Sequence, residues 1–362
     1  MSWIKNELES RKLPDVLGGA KTPEEFMARR EDIKKLLLEE EYGVFPPKPD
    51  SVRFEVTGEN TNFCCGHAPL RNVTAHCTLP DGKVFSFPFS CVIPVSETPV
   101  PAFVSINFRP NVPDQYMPSE EIADGGFAVF SFFADDIVTN DQDGDFANGF
   151  GPFLFPDGHR GPTGASKLSM WAWGAMRVMD YVMTLDCIDK KNVAVIGHSR
   201  MGKTAMIAGG FDERFSFVIS NDSGCAGAAL SRGKTGETIA FMNKVWWFWH
   251  CENYLKYNGD PFALPFDQHF LAALTAPRNL YIGSASGDDW ADPKGEYLGG
   301  MAASPVWELF GLKGLVGPDR MPEVGEVFHE GTIGYHLREG EHYLSRWDWL
   351  RYMEYIRLHY KK

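Results

Sequence analysis

The sequence lacks the features that mark membrane-spanning and nucleic acid-binding proteins. No stretch approaches the roughly 18 uncharged apolar residues of a spanning helix, and the first residues, MSWIKNELESRK, contain no apolar signal-peptide core. No basic run occurs in a chain of formal net charge −13, and phosphate neutralisation needs clustered lysine and arginine. These absences predict a soluble protein with no membrane span and no nucleic acid partner.

The cysteines also lack a metal-binding pattern. The chain has 7 of them, an odd number with no C-x-x-C pair, which argues against a zinc knuckle and against a dense disulfide scaffold. One or two disulfide bridges stay open at this stage. The cysteines therefore do not identify the redox compartment.

Apolar residues, in contrast, are abundant. They make up 44% of the 362 residues and aromatic residues 14%, enough for a large core and an aromatic-lined cleft. No linker-like segment, internal repeat or low-complexity stretch divides the chain. We expect residues 1–362 to form a single domain. We also expect the protein to be a monomer.

The periodicity changes along the chain. Thr22-Pro23-Glu24-Glu25 predicts a helix start with a capping-box glutamate, and that helix should end at Gly43. Three β-rich runs over 52–56, 72–79 and 84–93 predict antiparallel strands. From Val100 onward strands alternate with helices, which is typical of parallel strands with crossover helices. The sequence therefore predicts an α/β fold with a mixed, mostly parallel sheet.

The stretch VAVIGHSRMGKTA fits two motifs. As G-x-x-x-x-G-K-T it is a phosphate loop, with Lys203 on the nucleotide, Thr204 on magnesium and Asp222, after a later strand, anchoring the metal. As a strand-to-helix turn it exposes Ser199 as a nucleophile, although G-x-S-x-G requires glycine where Met201 stands. The late position in the chain disfavours the phosphate loop, and Gly202 can supply the small residue in a shifted register.

The order of the residues after Ser199 favours the serine interpretation. In α/β-hydrolases an acid follows a later strand and a histidine precedes the last helix. Asp288 and Asp289 follow the strand NLYIG, and His342 precedes the predicted terminal helix. His329 and His336 lie in a strand-like run, and we expect them to be structural.

The polar loop 135–164 contains Asp141, Asp143 and Asp145 in alternation. Glycine falls at the fourth position instead of the sixth and no glutamate closes the loop, so turn chemistry is favoured over a calcium site. The sequence predicts no metal and no cofactor.

Nine segments together resemble the glucuronoyl esterases, which cleave esters between glucuronic acid on xylan and lignin alcohols. They are LPD, EEEYGVFPP, WAWGAMRVMDY, VAVIGHSRMGKTA, ISNDSGCAGAAL, RGKTGET, LPFDQHFLAALTAPR, DDWADPKGEYL and GEHYLSRWDW. Bacterial members are more similar than fungal ones, because His198 stands where fungal enzymes have a disulfide-forming cysteine. The resemblance implies the α/β-hydrolase fold, a three-layer sandwich. It also explains the phosphate-loop pattern, since the family's turn contains G-x-S-R-x-G-K.

The resemblance implies roles for individual residues. Ser199 would be the nucleophile and His342 the general base, with Arg200 stabilising the oxyanion. Lys203, Trp290 and Glu237 would contact the sugar. The family places the acid at either of two positions, matching Asp288 or Asp222. We favour Asp288, because it obeys the general hydrolase order, and Asp222 would assist or orient.

The family also implies where and on what the protein acts. Its substrate would be a glucuronate ester on xylan or lignin-carbohydrate fragments. Because lignocellulose lies outside the cell, we expect a secreted or periplasmic enzyme, although the chain shows no signal peptide. The alternatives are another carbohydrate esterase, such as one acting on acetylated xylan, a non-catalytic sugar-binding protein, and a phosphate-loop nucleotide-binding protein.

Overall fold

A single mixed sheet organises the computed structural model, which describes residues 2–141 and 146–360. Within those residues the sheet has ten strands, in the order β1-β2-β3-β5-β4-β6-β7-β8-β10-β9. They are β1 (Ser51–Asn60), β2 (Leu70–Thr78), β3 (Val84–Val92), β4 (Val100–Asn107), β5 (Ala128–Phe133), β6 (Ile188–His198), β7 (Phe217–Asn221), β8 (Asn279–Ala285), β9 (Val327–Phe328) and β10 (Ile333–Arg338).

The sheet changes character across its width, as the sequence predicts. Strands β1 to β3 pair antiparallel, and β3 pairs antiparallel with β5. The six central strands, in the order β5-β4-β6-β7-β8-β10, are parallel to one another. The short β9 closes the far edge antiparallel to β10. The carboxyl ends of the parallel strands thus share one edge, where ligand sites of open α/β sheets lie.

Helices cover both faces of the sheet. They are α1 (Trp3–Arg11), α2 (Pro23–Leu37), α3 (Ser119–Asp124), α4 (Gly151–Leu154), α5 (Lys167–Val182), α6 (Arg200–Phe211), α7 (Ile239–Val245), α8 (His269–Ala273), α9 (Pro293–Leu309) and α10 (Arg346–Leu358). None of those described is both long and apolar enough to cross a bilayer.

Two apolar cores flank the sheet, because side chains along a strand alternate between its faces. In β6, Val193 and Val195 belong to the larger core, which includes residues of α2, α5, α6, α8 and α9. Ala194 and Ile196 belong to the second core, with residues of α3 and α10. The two cores and the sheet between them form the predicted three-layer sandwich.

The helix predicted after Thr22 is present, with two differences in detail. Thr22 caps it by accepting from the Glu25 amide, but the Glu25 side chain accepts from Lys21 N at 2.7 Å, so the predicted capping box does not form. The last turn, Leu38–Tyr42, is a π-helix that ends at Gly43. We did not identify the individual helices α1, α3, α4, α7, α8 and α9 from the sequence.

The sequence left two further points open, the conformation of the acidic loop and the disulfide bridges. Asp143 and Asp145 lie outside the described residues, so the turn prediction for that loop stays a prediction. The seven cysteines all lie within the described residues, and each has a free thiol.

Candidate active site

Ser199 occupies a sharp turn between β6 and α6. Its backbone has φ 57° and ψ −128°, a conformation that non-glycine residues adopt rarely and at a cost of about 1–3 kcal/mol. The Ser199 N–H donates to the Asn221 carbonyl at 2.9 Å, which ties the turn to the end of β7. Such strain at a strand-to-helix turn is typical of a nucleophile elbow.

Two glycines make this turn possible. A Cβ on Gly197 would lie 2.0 Å from the Met201 carbonyl oxygen, and one on Gly202 would lie 3.0 Å from the Ser223 Cβ. Met201 itself is fully buried. The small residue therefore stands one position later than in G-x-S-x-G, in the shifted register expected from the sequence.

His342 pairs with Asp288. Its Nδ1 lies 2.6 Å from Asp288 Oδ2, and Asp288 Oδ1 accepts from Ala291 N at 3.1 Å. Burial would raise the pKa of Asp288, but the hydrogen bond and charge of His342 outweigh it, so the pKa is lowered. Asp288 is thus an ionised acceptor that favours a proton on His342 Nδ1 and leaves Nε2 as the unprotonated ring nitrogen.

The imidazole also contacts the elbow. The ring of His198, the residue before Ser199, lies 4.4 Å from the His342 ring, centroid to centroid. His198 Nδ1 lies 2.7 Å from Asn221 Oδ1. Burial, followed by the charge of His342, lowers the pKa of His198 to about 3, so this second ring is neutral. The elbow and His342 therefore belong to one site.

Asp222 lies beside this pair in a different environment. It follows β7, its φ is 43°, and its Oδ2 accepts from Arg338 Nη2 at 3.2 Å. Complete burial raises its pKa well above the ordinary value, and the charge of Glu296 raises it further against the opposing charge of Arg338. Asp222 is close to His342, but the hydrogen bond to the imidazole comes from Asp288.

The same three groups could in principle hold a metal ion. One ligand atom each from Asp222, Asp288 and His342 lie within 4.8 Å of one another. Arg338 binds Asp222 Oδ2, and His342 Nδ1 binds Asp288 Oδ2. The buried Asp222 Oδ1 has no hydrogen-bond partner within residues 2–141 and 146–360.

Arg200 begins α6, directly after Ser199. Its guanidinium carbon lies 4.5 Å from the centre of the Phe108 ring and 5.9 Å from that of Trp249. Within residues 2–141 and 146–360 its buried Nε has no hydrogen-bond partner. Burial lowers the pKa of Arg200 to about 10, opposed by the charge of Asp135. It therefore remains a cation at neutral pH, with an unsatisfied donor, and it directly follows Ser199 in the chain.

Lys203, Glu237 and Trp290 form one wall. Lys203 Nζ donates to Glu237 Oε2 at 2.9 Å and to the Ser223 carbonyl at 2.5 Å, and both charged side chains are buried. The Glu237 N–H donates to the Trp290 carbonyl at 3.0 Å. Trp290 is 42% exposed and meets the Phe241 ring edge-on at 4.8 Å. Lys203 is thus a buried, paired cation and not a solvated helix residue.

The phosphate-loop alternative does not fit this geometry. Lys203 is engaged by Glu237, and Thr204 is buried, with its hydroxyl donating to the Arg200 carbonyl at 2.9 Å. Asp222, the candidate magnesium anchor, bonds Arg338. The groups a nucleotide and its metal would need are therefore occupied.

His329 and His336 make structural contacts, as expected from the sequence. His336 Nε2 lies 2.9 Å from Asp348 Oδ1, and His329 Nε2 lies 2.8 Å from the Tyr281 hydroxyl. Sequence reasoning did not assign Arg338 or Phe108 to the site. No local motif marks either residue, because both reach the site from strand ends that the fold brings there.

The fold and the turn together are those of an α/β-hydrolase. A sequence model described as glucuronyl esterase, fungi, matches residues 78–311, which is more than half of the chain. The chain belongs to the glucuronyl esterase family. The family and fold predicted from the sequence are therefore confirmed.

Relatives and a solved structure support this assignment. Carbohydrate esterase MZ0003, from an unidentified prokaryote, is 41% identical over 237 residues, 65% of this chain and 54% of that protein. The 4-O-methyl-glucuronoyl methylesterase of Hypocrea jecorina is 28% identical over 308 residues, 82% of this chain and 60% of that protein. A glucuronoyl esterase structure from Solibacter usitatus superposes with TM-score 0.88 at 32% identity, covering 96% of this chain and 98% of that one.

Two further points follow from these comparisons. The higher identity to the prokaryotic relative agrees with the bacterial type predicted from His198. The matched regions span only 54% and 60% of the lengths of these two curated relatives.

Proposed function

We propose that this protein is a serine esterase that cleaves esters of glucuronic acid, or of its 4-O-methyl derivative, with lignin-type alcohols on xylan. The observation that carries the proposal is the 2.6 Å bond between His342 Nδ1 and Asp288, beside a strained serine turn. The names of the relatives support the choice of acyl group. The enzyme would act outside the cell, as a single-domain monomer.

In the first half-reaction His342 Nε2 takes the proton of Ser199 as its oxygen attacks the C6 carbonyl carbon of the ester. The carbonyl becomes an oxyanion, which the Arg200 backbone N–H and guanidinium stabilise. The C6–O bond to the alcohol then breaks, and His342 returns the proton to the departing oxygen. The products are a free alcohol and a glucuronoyl ester on Ser199.

In the second half-reaction water takes the place of the alcohol. His342 removes a proton from the water as the water oxygen attacks the acyl carbon. His342 then passes that proton to the Ser199 oxygen as the bond to the acyl carbon breaks and the free acid leaves. Asp288 stays ionised throughout and stabilises the imidazolium. Ser199 supplies the nucleophile and the donors of Arg200 stabilise the developing negative charge, so the proposal requires neither a metal nor a cofactor.

The wall of Lys203, Glu237 and Trp290 would hold the sugar. Lys203 is one helical turn from Ser199, so its ammonium can reach the uronate hydroxyls without leaving Glu237. The half-exposed Trp290 offers an apolar face for the pyranose ring. Buried charges in fixed positions suit an oxygen-rich substrate.

Hydrolysis of benzyl glucuronate by the wild type beside Ser199→Ala tests this proposal. Loss of the nucleophile should lower kcat by on the order of 10³ or more, since a triad serine forms the covalent bond. Unchanged turnover by the variant would remove Ser199 from the reaction. Acetylated xylan serves as the competing substrate: faster acetyl release than benzyl glucuronate hydrolysis would favour the other class of carbohydrate esterase.

A further inference from the structure

One buried arginine contacts the loop that carries His342 at three backbone carbonyls. Arg338, the last residue of β10, is only 7% exposed. Its guanidinium donates to the carbonyl of Glu339 at 3.0 Å, to that of Glu341 at 2.8 Å and to that of Tyr343. The bonds to Glu341 and Tyr343 hold the backbone on both sides of His342.

The same guanidinium reaches two carboxylates on other elements. Arg338 Nε donates to Asp348 Oδ2 at 3.0 Å, and Nη2 lies 3.2 Å from Asp222 Oδ2. Asp348 forms a capping box with Ser345 at the start of α10. Arg338 thus connects the end of β7, the His342 loop and the first turn of the terminal helix.

The imidazole itself has few side-chain restraints. The His342 side chain is 41% exposed, its Nδ1 bonds Asp288, and the His198 ring packs against it. A ring so open to solvent depends on its backbone for position. Misplacement of a reacting group by about 1 Å can cost on the order of 10²-fold in rate.

We propose that Arg338 is a positioning residue for the reaction: its planar fork fixes the peptide backbone around His342, so that the imidazole stays between Asp288 and Ser199. The inference rests on the proposed function. The hydrogen bonds of Arg338 go to three backbone carbonyls and to Asp222 and Asp348, so Arg338 would act through His342 and not on the substrate. Lysine cannot replace it, because a single ammonium cannot hold three carbonyls and two carboxylates at the angles of a guanidinium.

The test compares Arg338→Lys and Arg338→Met with a matched control, Arg278→Met. Arg278 is also 7% exposed and donates to three carbonyls, those of Asp212, Phe215 and Leu274, at the opposite end of β8. Each variant is measured for Tm, for kcat and KM on benzyl glucuronate, and for the low-field NMR signal of the His342 Nδ1 proton. Labelling of Ser199 by a fluorophosphonate adds a rate that needs no sugar substrate.

We expect both Arg338 variants to lose about 10²-fold in kcat with little change in KM, to label more slowly and to lose the low-field signal. Arg278→Met should lower Tm and leave kcat and the signal intact. If Arg338→Met does not fold, the test rests on Arg338→Lys. Wild-type kcat and signal in a folded Arg338→Lys, equal kcat losses in Arg278→Met, or failure of both Arg338 variants to fold would overturn the inference.

The readouts separate this inference from the proposed function. If the wild type does not hydrolyse benzyl glucuronate, the proposed function fails. The NMR signal and the labelling rate still report whether Arg338 positions His342, since neither depends on the sugar. If the wild type is active and the Arg338 variants keep kcat, labelling and signal, only the inference fails.

Discussion

Asp288 and Asp222 follow neighbouring parallel strands, β8 and β7, and both are buried within reach of His342, yet their environments differ. Asp288 is bonded to the imidazole and its pKa is lowered. Asp222 is bonded to Arg338 and its pKa is raised. Position at the edge of the sheet therefore selects candidates for the acid, and the hydrogen-bond partner distinguishes their roles.

The largest effect we expect from this difference is on catalysis. Asp288→Asn should lower kcat on benzyl glucuronate by on the order of 10³ to 10⁴, because the amide favours the wrong histidine tautomer. Asp222→Asn should cost at most about tenfold, the equivalent of one lost hydrogen bond outside the reacting pair. The two variants control for each other, and the reverse ranking would assign the triad acid to Asp222.

The buried Arg338 and the partly buried Arg200 provide a second, smaller contrast. Arg338 bonds two carboxylates, whereas Arg200 lies against aromatic rings with its Nε unsatisfied. An unpaired donor is free to meet a developing oxyanion. Arg200→Ala should therefore lower kcat by roughly 10²-fold or more, measured on the same ester.

Arg200→Lys is the control for charge, and it should recover only part of the lost rate if the geometry of the guanidinium matters. An effect of Arg200→Ala on KM alone would demote this residue to substrate binding. The backbone N–H of residue 200 remains in either variant, so complete inactivation is not expected.

The smallest effect concerns stability and pH. A raised pKa in the folded protein means that the contribution of Asp222 declines as the pH rises above its unfolded pKa, about 4. The contribution of Asp288, whose pKa is lowered, is complete above about pH 4 and is lost only on acidification. Between about pH 5 and about pH 8, the Tm of Asp222→Asn should rise relative to the wild type.

Asp288→Asn removes a charge that raises the pKa values of both Asp222 and Glu296, so it is not a control here and the wild type is the reference. Glu296, whose pKa burial raises to about 7, titrates in the same range, and its charge raises the pKa of Asp222, so the pH dependence of the difference reports the two carboxyls together. A Tm of Asp222→Asn that falls relative to the wild type with rising pH would contradict the environment described for Asp222.

The predictable and unpredictable parts of the fold differ in where their stability arises. Strands β4 to β8 were predicted because apolar runs between turn residues reflect burial within the sheet. Helix α9 was not, because Gly299, Gly300 and Pro305 give it poor helix propensity. It forms by packing: a Cβ at Gly299 would lie 2.1 Å from the Ala228 carbonyl oxygen, so glycine is what allows the close contact.

The candidate active site also has parts that the sequence predicted and parts that it did not. Ser199, His342 and the acid candidates were identified by motif and chain order, since their elements place them at one edge of the sheet. The pairing of Lys203 with Glu237 was not foreseen, because it joins side chains 34 positions apart. Arg338 was missed for the same reason: its partners Asp222 and Asp348 come from other elements.

From its amino acids alone, then, the chain specifies an α/β sheet with a serine turn, two acids and a histidine in hydrolase order, since local patterning and the order of elements determine those features. Chain order favoured Asp288 over Asp222, but only the tertiary structure formed the hydrogen bond between Asp288 and His342, paired Lys203 with Glu237 and placed Arg338 against the backbone around His342. Those outcomes depend on burial and on angstrom-scale distances between groups remote in the chain, which no local pattern encodes.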